Sequence, residues 1–105
     1  INIANVQNES AAARTLGLAD INAHLVFSSA SAVTVTVPLN ASVALPSGST
    51  IDLEQTGSGV VSVAGEAGVT VNKPAGRTAA TASQFAVVRL RKVAINTWTL
   101  FGELA

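Results

Sequence analysis

The chain has 105 residues, six acidic and six basic side chains, and no cysteine. This length supports one domain, and zero net charge does not favour nucleic acid or an anionic membrane as a partner. Its apolar runs fall far short of the ~20 residues that span a bilayer, and the lack of cysteine excludes disulfides and thiolate metal sites.

Charged residues make up only 11% of the chain and hydrophobic residues 49%. Ordinary soluble domains carry about 25% charged residues. The surface should therefore be unusually neutral. Because large bare apolar patches are rare on monomers, we expect other copies of the chain or another protein to cover part of it. The alternative is a neutral surface coated in serine and threonine.

The first elements are short. Residues 1–14 are polar and rich in asparagine, which predicts an N-terminal arm or linker before a β domain at 15–105. A strand should start near Thr15. Asp20 can cap a single helical turn, and the chain should return to strand over His24–Ser28.

The clearest alternation follows. Val33, Val35 and Val37 share one face of a strand that Pro38 ends. Similar text then recurs around short glycine turns and predicts three more strands in a meander, "STIDLEQT", "VVSVAG" and "VTVN". Alternating valines are typical of any sheet, so this recurrence predicts no structural repeat.

The C-terminal third predicts a surface loop at 73–83 and then a long strand, "FAVVRLRKVAI". The apolar residues of this strand have conflicting parities, which predicts a β-bulge near Arg89–Lys92 or burial on both faces. A tight turn at Asn96–Thr97 should lead into a last strand. The pattern as a whole predicts an all-β class with about eight strands, as an antiparallel β-sandwich, jelly-roll or small barrel.

Six segments together resemble a small β domain that recurs at the ends of tail-fibre, head-fibre and decoration proteins of tailed phages. The resemblance covers roughly Leu16–Leu104. The segments are "LGLAD", "SASAVTVTVP", "NASVALPSGSTI", "QTGSGVVSV", "GVTVNKP" and "TWTLFGEL". The chain departs from the family in its basic "RLRK" and in the arm before Arg14. The resemblance implies a virion surface module that assembles as a homotrimer and contacts other virion proteins, either capsid or fibre shaft.

Asp52 and Glu54 are the candidate acid pair, because residues two apart on a strand share a face about 6.6 Å apart. Such carboxylates suit an inverting glycosidase. Arg89 and Arg91 have the same spacing, and cross-strand charge pairing explains both sets without catalysis. The pairing interpretation is favoured, since so short a chain leaves little material for a deep cleft.

Four other side chains are candidates for binding. His24, the single histidine, lacks a cluster of further metal ligands, although three copies could meet on a trimer axis. Trp98 and Phe101 are candidate contacts for a glycan or a second subunit, and for Trp98 a place in the core or in a subunit contact is favoured over glycan binding. Lys92 joins the two arginines in a basic cluster that could face a partner, and a solvated strand face is the favoured alternative.

The sequence thus predicts a non-enzymatic phage structural protein on the virion surface, with no cofactor, no metal and no catalytic residues. Its expected role is capsid decoration or a head-fibre module that acts by oligomerisation and adhesion. The alternative is a tail-fibre domain that binds a host surface glycan. A depolymerase fragment is the third hypothesis and ranks far behind.

Overall fold

The computed structural model describes residues 5–105. These residues form nine strands and one short 3₁₀ turn at Leu18–Asp20, with no α-helix among them. The predicted all-β class is confirmed. The strands are β1 (Asn5–Glu9), β2 (Ala13–Thr15), β3 (Ala23–Phe27), β4 (Val33–Val37), β5 (Thr50–Gln55), β6 (Val61–Gly65), β7 (Thr70–Asn72), β8 (Val87–Ala94) and β9 (Thr97–Gly102).

The strands form two sheets. The larger has six strands in the order β1-β3-β5-β8-β9-β7, and the smaller has three in the order β2-β4-β6. The small sheet is wholly parallel, whereas the large sheet is mixed, with antiparallel pairing only at β5–β8 and β8–β9. The expected antiparallel arrangement is therefore wrong for most of the strand pairs.

From β1 to β6, successive strands alternate between the two sheets and stack as three coils. We call the pairs β1–β2, β3–β4 and β5–β6 the first, second and third coils. The third lies on the second at a constant offset of 28 residues, since His24 pairs with Asp52 and Val33 with Val61. The recurrence of valines in β4 and β6 thus marks two stacked strands, whereas the similar "VTVN" of β7 lies in the large sheet beside β9. The predicted β5–β6–β7 meander is wrong, because these strands do not pair with one another.

Glycines allow the turns of the second and third coils to stack closely. A Cβ atom on Gly57 would stand 2.2 Å from the carbonyl oxygen of Ser29, and one on Gly59 would stand 1.9 Å from that of Ser31. No other residue type fits at such distances. The amide of Gly59 also donates to the Ser29 oxygen at 3.0 Å. The "GSG" turn is thus shaped by the turn beneath it.

One hydrophobic core lies between the two sheets. The alternation of Val33–Val37 places its valines inward, as predicted, and Ile51 and Leu53 also point inward. Burial of one such side chain contributes roughly 1.5–3 kcal/mol. The largest fully buried side chains belong to Trp98, Phe27, Leu16, Leu25, Ile51, Leu53, Leu90 and Leu100.

The predicted hairpin of β8 and β9 is present. Its turn places Asn96 at φ 55°, a left-handed conformation that asparagine tolerates. The register shifts between Lys92 and Ala94, just beyond the range predicted for the bulge. The extra residue, Val93, is exposed. The bulge does not bury the second set of apolar residues. Val88 and Leu90 point inward, whereas Val93 and Ile95 of the other parity are exposed.

The N-terminal prediction needs correction. Residues 1–4 of the predicted arm lie outside the described residues. The rest of the arm forms β1 and β2, which pair in parallel with β3 and β4. The polar residues of this segment are compatible with strands because they form the first coil, which lies at the end of the stack where the hydrophobic core ends. The predicted single turn is present at Leu18–Asp20, but the predicted role of Asp20 as its N-cap is wrong, because Gly17 is the N-cap and Asp20 is the last residue of the turn.

The predicted loop at 73–83 is partly pinned to the core. Ala80 bridges to Ser62 of β6, and Thr81 is buried. The hydroxyl of Thr81 donates to the Gln55 side chain at 2.5 Å and accepts from the Val61 amide at 3.1 Å. This segment therefore covers the outer edge of the small sheet.

The single helical turn of residues 5–105 is too short to cross a membrane.

Candidate functional site: the outer face of the large sheet

The strand register builds one row of side chains across the outer face of the large sheet. His24 pairs with Asp52, Asp52 with Arg89, and Arg89 with Phe101. Residues opposite one another in adjacent strands share a face. We call these four residues the charge row. Glu54 lies on the same face, two residues beyond Asp52.

Polar contacts connect the three polar residues of the charge row with one another and with Glu54. The Nε and Nη2 atoms of Arg89 donate to the two carboxylate oxygens of Asp52 at 2.6 and 3.2 Å. The Nε2 atom of His24 lies 2.8 Å from Glu54 Oε1, and its Nδ1 atom lies 3.6 Å from Asp52 Oδ2. Both carboxylates of the candidate acid pair thus have partners within the chain.

The electrostatics of Asp52 follow from this arrangement. Partial burial by itself would raise the pKa of Asp52, but the hydrogen bond and charge of Arg89, with a contribution from His24, outweigh it and lower that pKa. The hydrogen bond from Arg89 in turn raises the pKa of the guanidinium. Asp52 is therefore held as a charged acceptor, which suits an ion pair and does not suit a general acid.

Of the other residues predicted to bind a partner, Arg91 and Phe101 lie on the outer face and contact each other, whereas Trp98 and Lys92 do not lie there. Arg91 is exposed and lies over the ring of Phe101, with 5.9 Å from its guanidinium carbon to the ring centroid. Phe101 remains 36% exposed. Arg89 and Arg91 face outward, so these residues stand where a partner could reach them. This contact is a cation–π interaction at the surface, worth about 0.5–1 kcal/mol.

Trp98 is not on this face. Its side chain is 1% exposed and belongs to the core, so it offers no surface for a glycan or a second subunit. The reason is parity: Trp98 and Leu100 alternate with the outward residues of β9, and the largest apolar ring of the chain fills the space between the sheets.

Lys92 is also not on this face. It is 3% exposed, and its ammonium group donates to Asn40 Oδ1 and to the carbonyl oxygen of Leu45, both at 2.6 Å. The residue shares the inward parity of Val88 and Leu90. The expected role of Lys92 as a charge that faces a partner is therefore wrong, because its ammonium serves the loop that contains Asn40 and Leu45.

Sequence reasoning missed an ionic cluster at the first coil. Arg14 donates to Asp20 at 2.5 Å, Glu9 at 3.1 Å and Gln7 at 2.7 Å. Asp20 is 2% exposed and also accepts from the Gly17 amide. These groups cover the end of the core with polar contacts. The spacing from Gly17 to Asp20, typical of a capped turn, was the available signal.

Sequence reasoning also missed Phe85. This residue has φ 68° and a side chain that is 64% exposed. A left-handed conformation costs an L-residue other than glycine about 1–2 kcal/mol. No hydrophobic pattern reports a positive φ, so only the coordinates could identify it.

Within residues 5–105, no group of three or more His, Cys, Asp or Glu side chains is arranged to hold a metal ion. No protein-family model, curated protein or solved structure matches the chain significantly.

Proposed function

We propose that the chain is a structural module of a phage virion, a capsid decoration or head-fibre domain that acts by assembling with copies of itself and adhering to other virion proteins. The proposal rests on the resemblance of its strand motifs to phage surface domains. Two structural observations support it: the carboxylates of the candidate acid pair have partners within the chain, and several apolar side chains are exposed.

Both carboxylates of the candidate acid pair form contacts with basic side chains of the same chain. Asp52 is held by Arg89, and Glu54 by His24, on an open sheet face. Acid–base catalysis needs a group that is free to exchange a proton with a substrate. This arrangement supports an adhesive role over a hydrolytic one, because the ion pairs stabilise the face and leave neither carboxylate unpartnered.

Apolar side chains of the described residues remain at the surface even though the core is well filled. Ile95 is 70% exposed and Phe85 64%. Aromatic residues are enriched at the cores of protein interfaces, and Phe85 is of this type. The other large exposed apolar residues are Val6, Leu18, Val60, Val93 and Phe101.

Sedimentation of the purified chain, from micromolar to sub-millimolar concentration, tests the assembly. The expected result is a trimer, which is the symmetry that the resemblance implies. A monomer over the whole range would contradict the proposal. Electron cryo-microscopy of virions that carry the chain would then locate it, and density on the head would support the decoration role over the tail-fibre one.

Glycan recognition is the second candidate, and the exposed Phe101 beside Arg91 is the observation that favours it. A glycan array is the test. Binding that is lost in Phe101→Ala and kept in Trp98→Phe would support this function, because Trp98 is buried. Silence across host surface glycans would contradict it. A lack of reducing-sugar release from host polysaccharide would contradict the depolymerase hypothesis.

A further inference from the structure

Phe85 occupies a turn that is built for glycine. The amide of Ala86 donates to the carbonyl oxygen of Ser83, which closes a four-residue turn with Gln84 and Phe85 at its centre. Phe85 has φ 68° at the third position. A positive φ at this position defines a type II turn, in which glycine or asparagine is the usual residue.

The same residue begins a β-bulge. The Phe85 amide donates to the Gln55 oxygen at 2.5 Å, and the Gln55 amide donates to the Ala86 oxygen at 3.1 Å. Phe85 and Ala86 thus oppose a single residue of β5. In this type of bulge, the first residue is left-handed and is normally glycine. Two separate features of the backbone therefore favour glycine where the chain has phenylalanine.

The other left-handed residues follow the usual rule. Within residues 5–105, the non-glycine residues with positive φ are Asn22, Phe85 and Asn96. Asparagine tolerates this conformation, whereas a bulky aromatic residue does not. Phe85 also gains little from its own fold, because its side chain is 64% exposed. Strain that the fold does not offset points to a contact outside the fold.

We propose that Phe85 is the anchor through which one copy of this chain binds a second copy. This inference deepens the proposed function and rests on it, since it assigns the self-association to one residue. Aromatic residues are enriched among interface hot spots, where a few residues carry most of the binding energy.

The charges of the chain favour a second copy as the partner. The net charge is zero, so two copies do not repel each other. All six carboxylates bind a group of their own chain. Few charges must be desolvated when a neutral surface of this kind packs against its own copy. The carboxylates are Glu9, Asp20, Asp52, Glu54, Glu66 and Glu103.

Two substitutions at one position test the proposal. Phe85→Gly and Phe85→Asn both remove the ring and suit the left-handed backbone. We expect self-association, measured by sedimentation equilibrium, to weaken at least about ten-fold in both variants, as for an interface anchor. The midpoint of denaturant unfolding, measured on dilute monomer, should stay unchanged or rise, because the strain is released.

Leu18→Ser is the matched control, since Leu18 is 61% exposed on the 3₁₀ turn and has no positive φ. It should weaken self-association less than either Phe85 variant, because an anchor carries more of the binding energy than other exposed apolar residues. Unchanged association in both Phe85 variants would overturn the assignment of the anchor while the proposed assembly stands. A lower unfolding midpoint in both would also overturn it, because the ring would then serve its own fold. A wild-type chain that stays monomeric would overturn the assembly itself.

Discussion

Lys92 illustrates how a single residue type can mislead. Its charge predicts exposure, and its position in "RLRK" predicts a basic cluster. Its parity with Val88 and Leu90 predicts burial, and the structure follows the parity. A lysine can lie inside a protein when its ammonium finds acceptors, and here Asn40 and Leu45 supply them.

We therefore expect Lys92→Met to lower the free energy of unfolding by about 1–3 kcal/mol, because it leaves the buried oxygen of Leu45 without a donor. Urea unfolding at neutral pH measures this. Arg91→Met, on the exposed face of the same strand, should cost no more than about 1 kcal/mol. Equal losses in the two variants would mean that the ammonium of Lys92 is not satisfied inside the fold.

Asp52 predicts a specific dependence on pH. Because its pKa is lowered in the folded state, its ion pairs stabilise the fold above the ordinary value of 3.8. That stability is lost as the pH falls through the lowered pKa. Asp52→Asn should remove this contribution, which is up to about 1 kcal/mol for a pair near the surface.

The measurement compares urea midpoints of the wild type and Asp52→Asn at neutral pH and at a pH below 3.8. The wild type should be the more stable at neutral pH, and the difference should shrink in acid. Glu103→Gln is a control at an exposed carboxylate for which only a main-chain contact is present. A difference that persists unchanged in acid would contradict the assigned cause.

At the scale of elements, alternation identified the strands but did not identify their partners. The inward residues of β4 and β5 are those that the period-two pattern predicts. The prediction that β5 pairs with β6 was wrong. Glycine turns are typical of hairpins and also of corners between stacked coils, so the turn residues alone do not distinguish the two. Gly57 and Gly59 belong to the second kind, since the close approach of another turn requires them.

Gly59→Ala should therefore destabilise the domain by about 1–3 kcal/mol or more, because its Cβ would overlap a main-chain oxygen that cannot move alone. Thermal or urea unfolding measures the loss. Gly17→Ala is the control, since a Cβ there has nothing within 4 Å and φ is −133°. That change should stay within about 0.5 kcal/mol. Similar losses in both would contradict the stacked-turn account.

At the scale of the whole molecule, the coils are unequal. The third coil is covered on its outer side by β8 and by the segment around Ala80. In the described residues, the strands of the first coil pair only with those of the second. The inward positions of the first coil carry Glu9 and Arg14, which the register places beside Phe27 and Val35. Less apolar burial means lower local stability.

Native-state hydrogen exchange should therefore release the amides of β1 and β2 at a lower free energy than those of β5 and β8. Nuclear magnetic resonance or mass spectrometry at increasing denaturant would measure this order. Arg14→Met should widen the gap, because it removes the ionic cluster that closes the first coil. Uniform protection across all strands would contradict the proposed gradient and would mean that the coils open as one unit.

The sequence by itself determined the all-β class, the inward faces of β4 and β5, the last hairpin and the presence of a bulge in β8. These features depend on neighbours in the chain, which the period of two and the turn residues encode. Tertiary structure decided the parallel stacking, the acceptors that satisfy the buried ammonium of Lys92, and the exposure of Phe85. Those features depend on which distant strand lies alongside, and hydrophobic alternation is the same for every partner that a strand could choose.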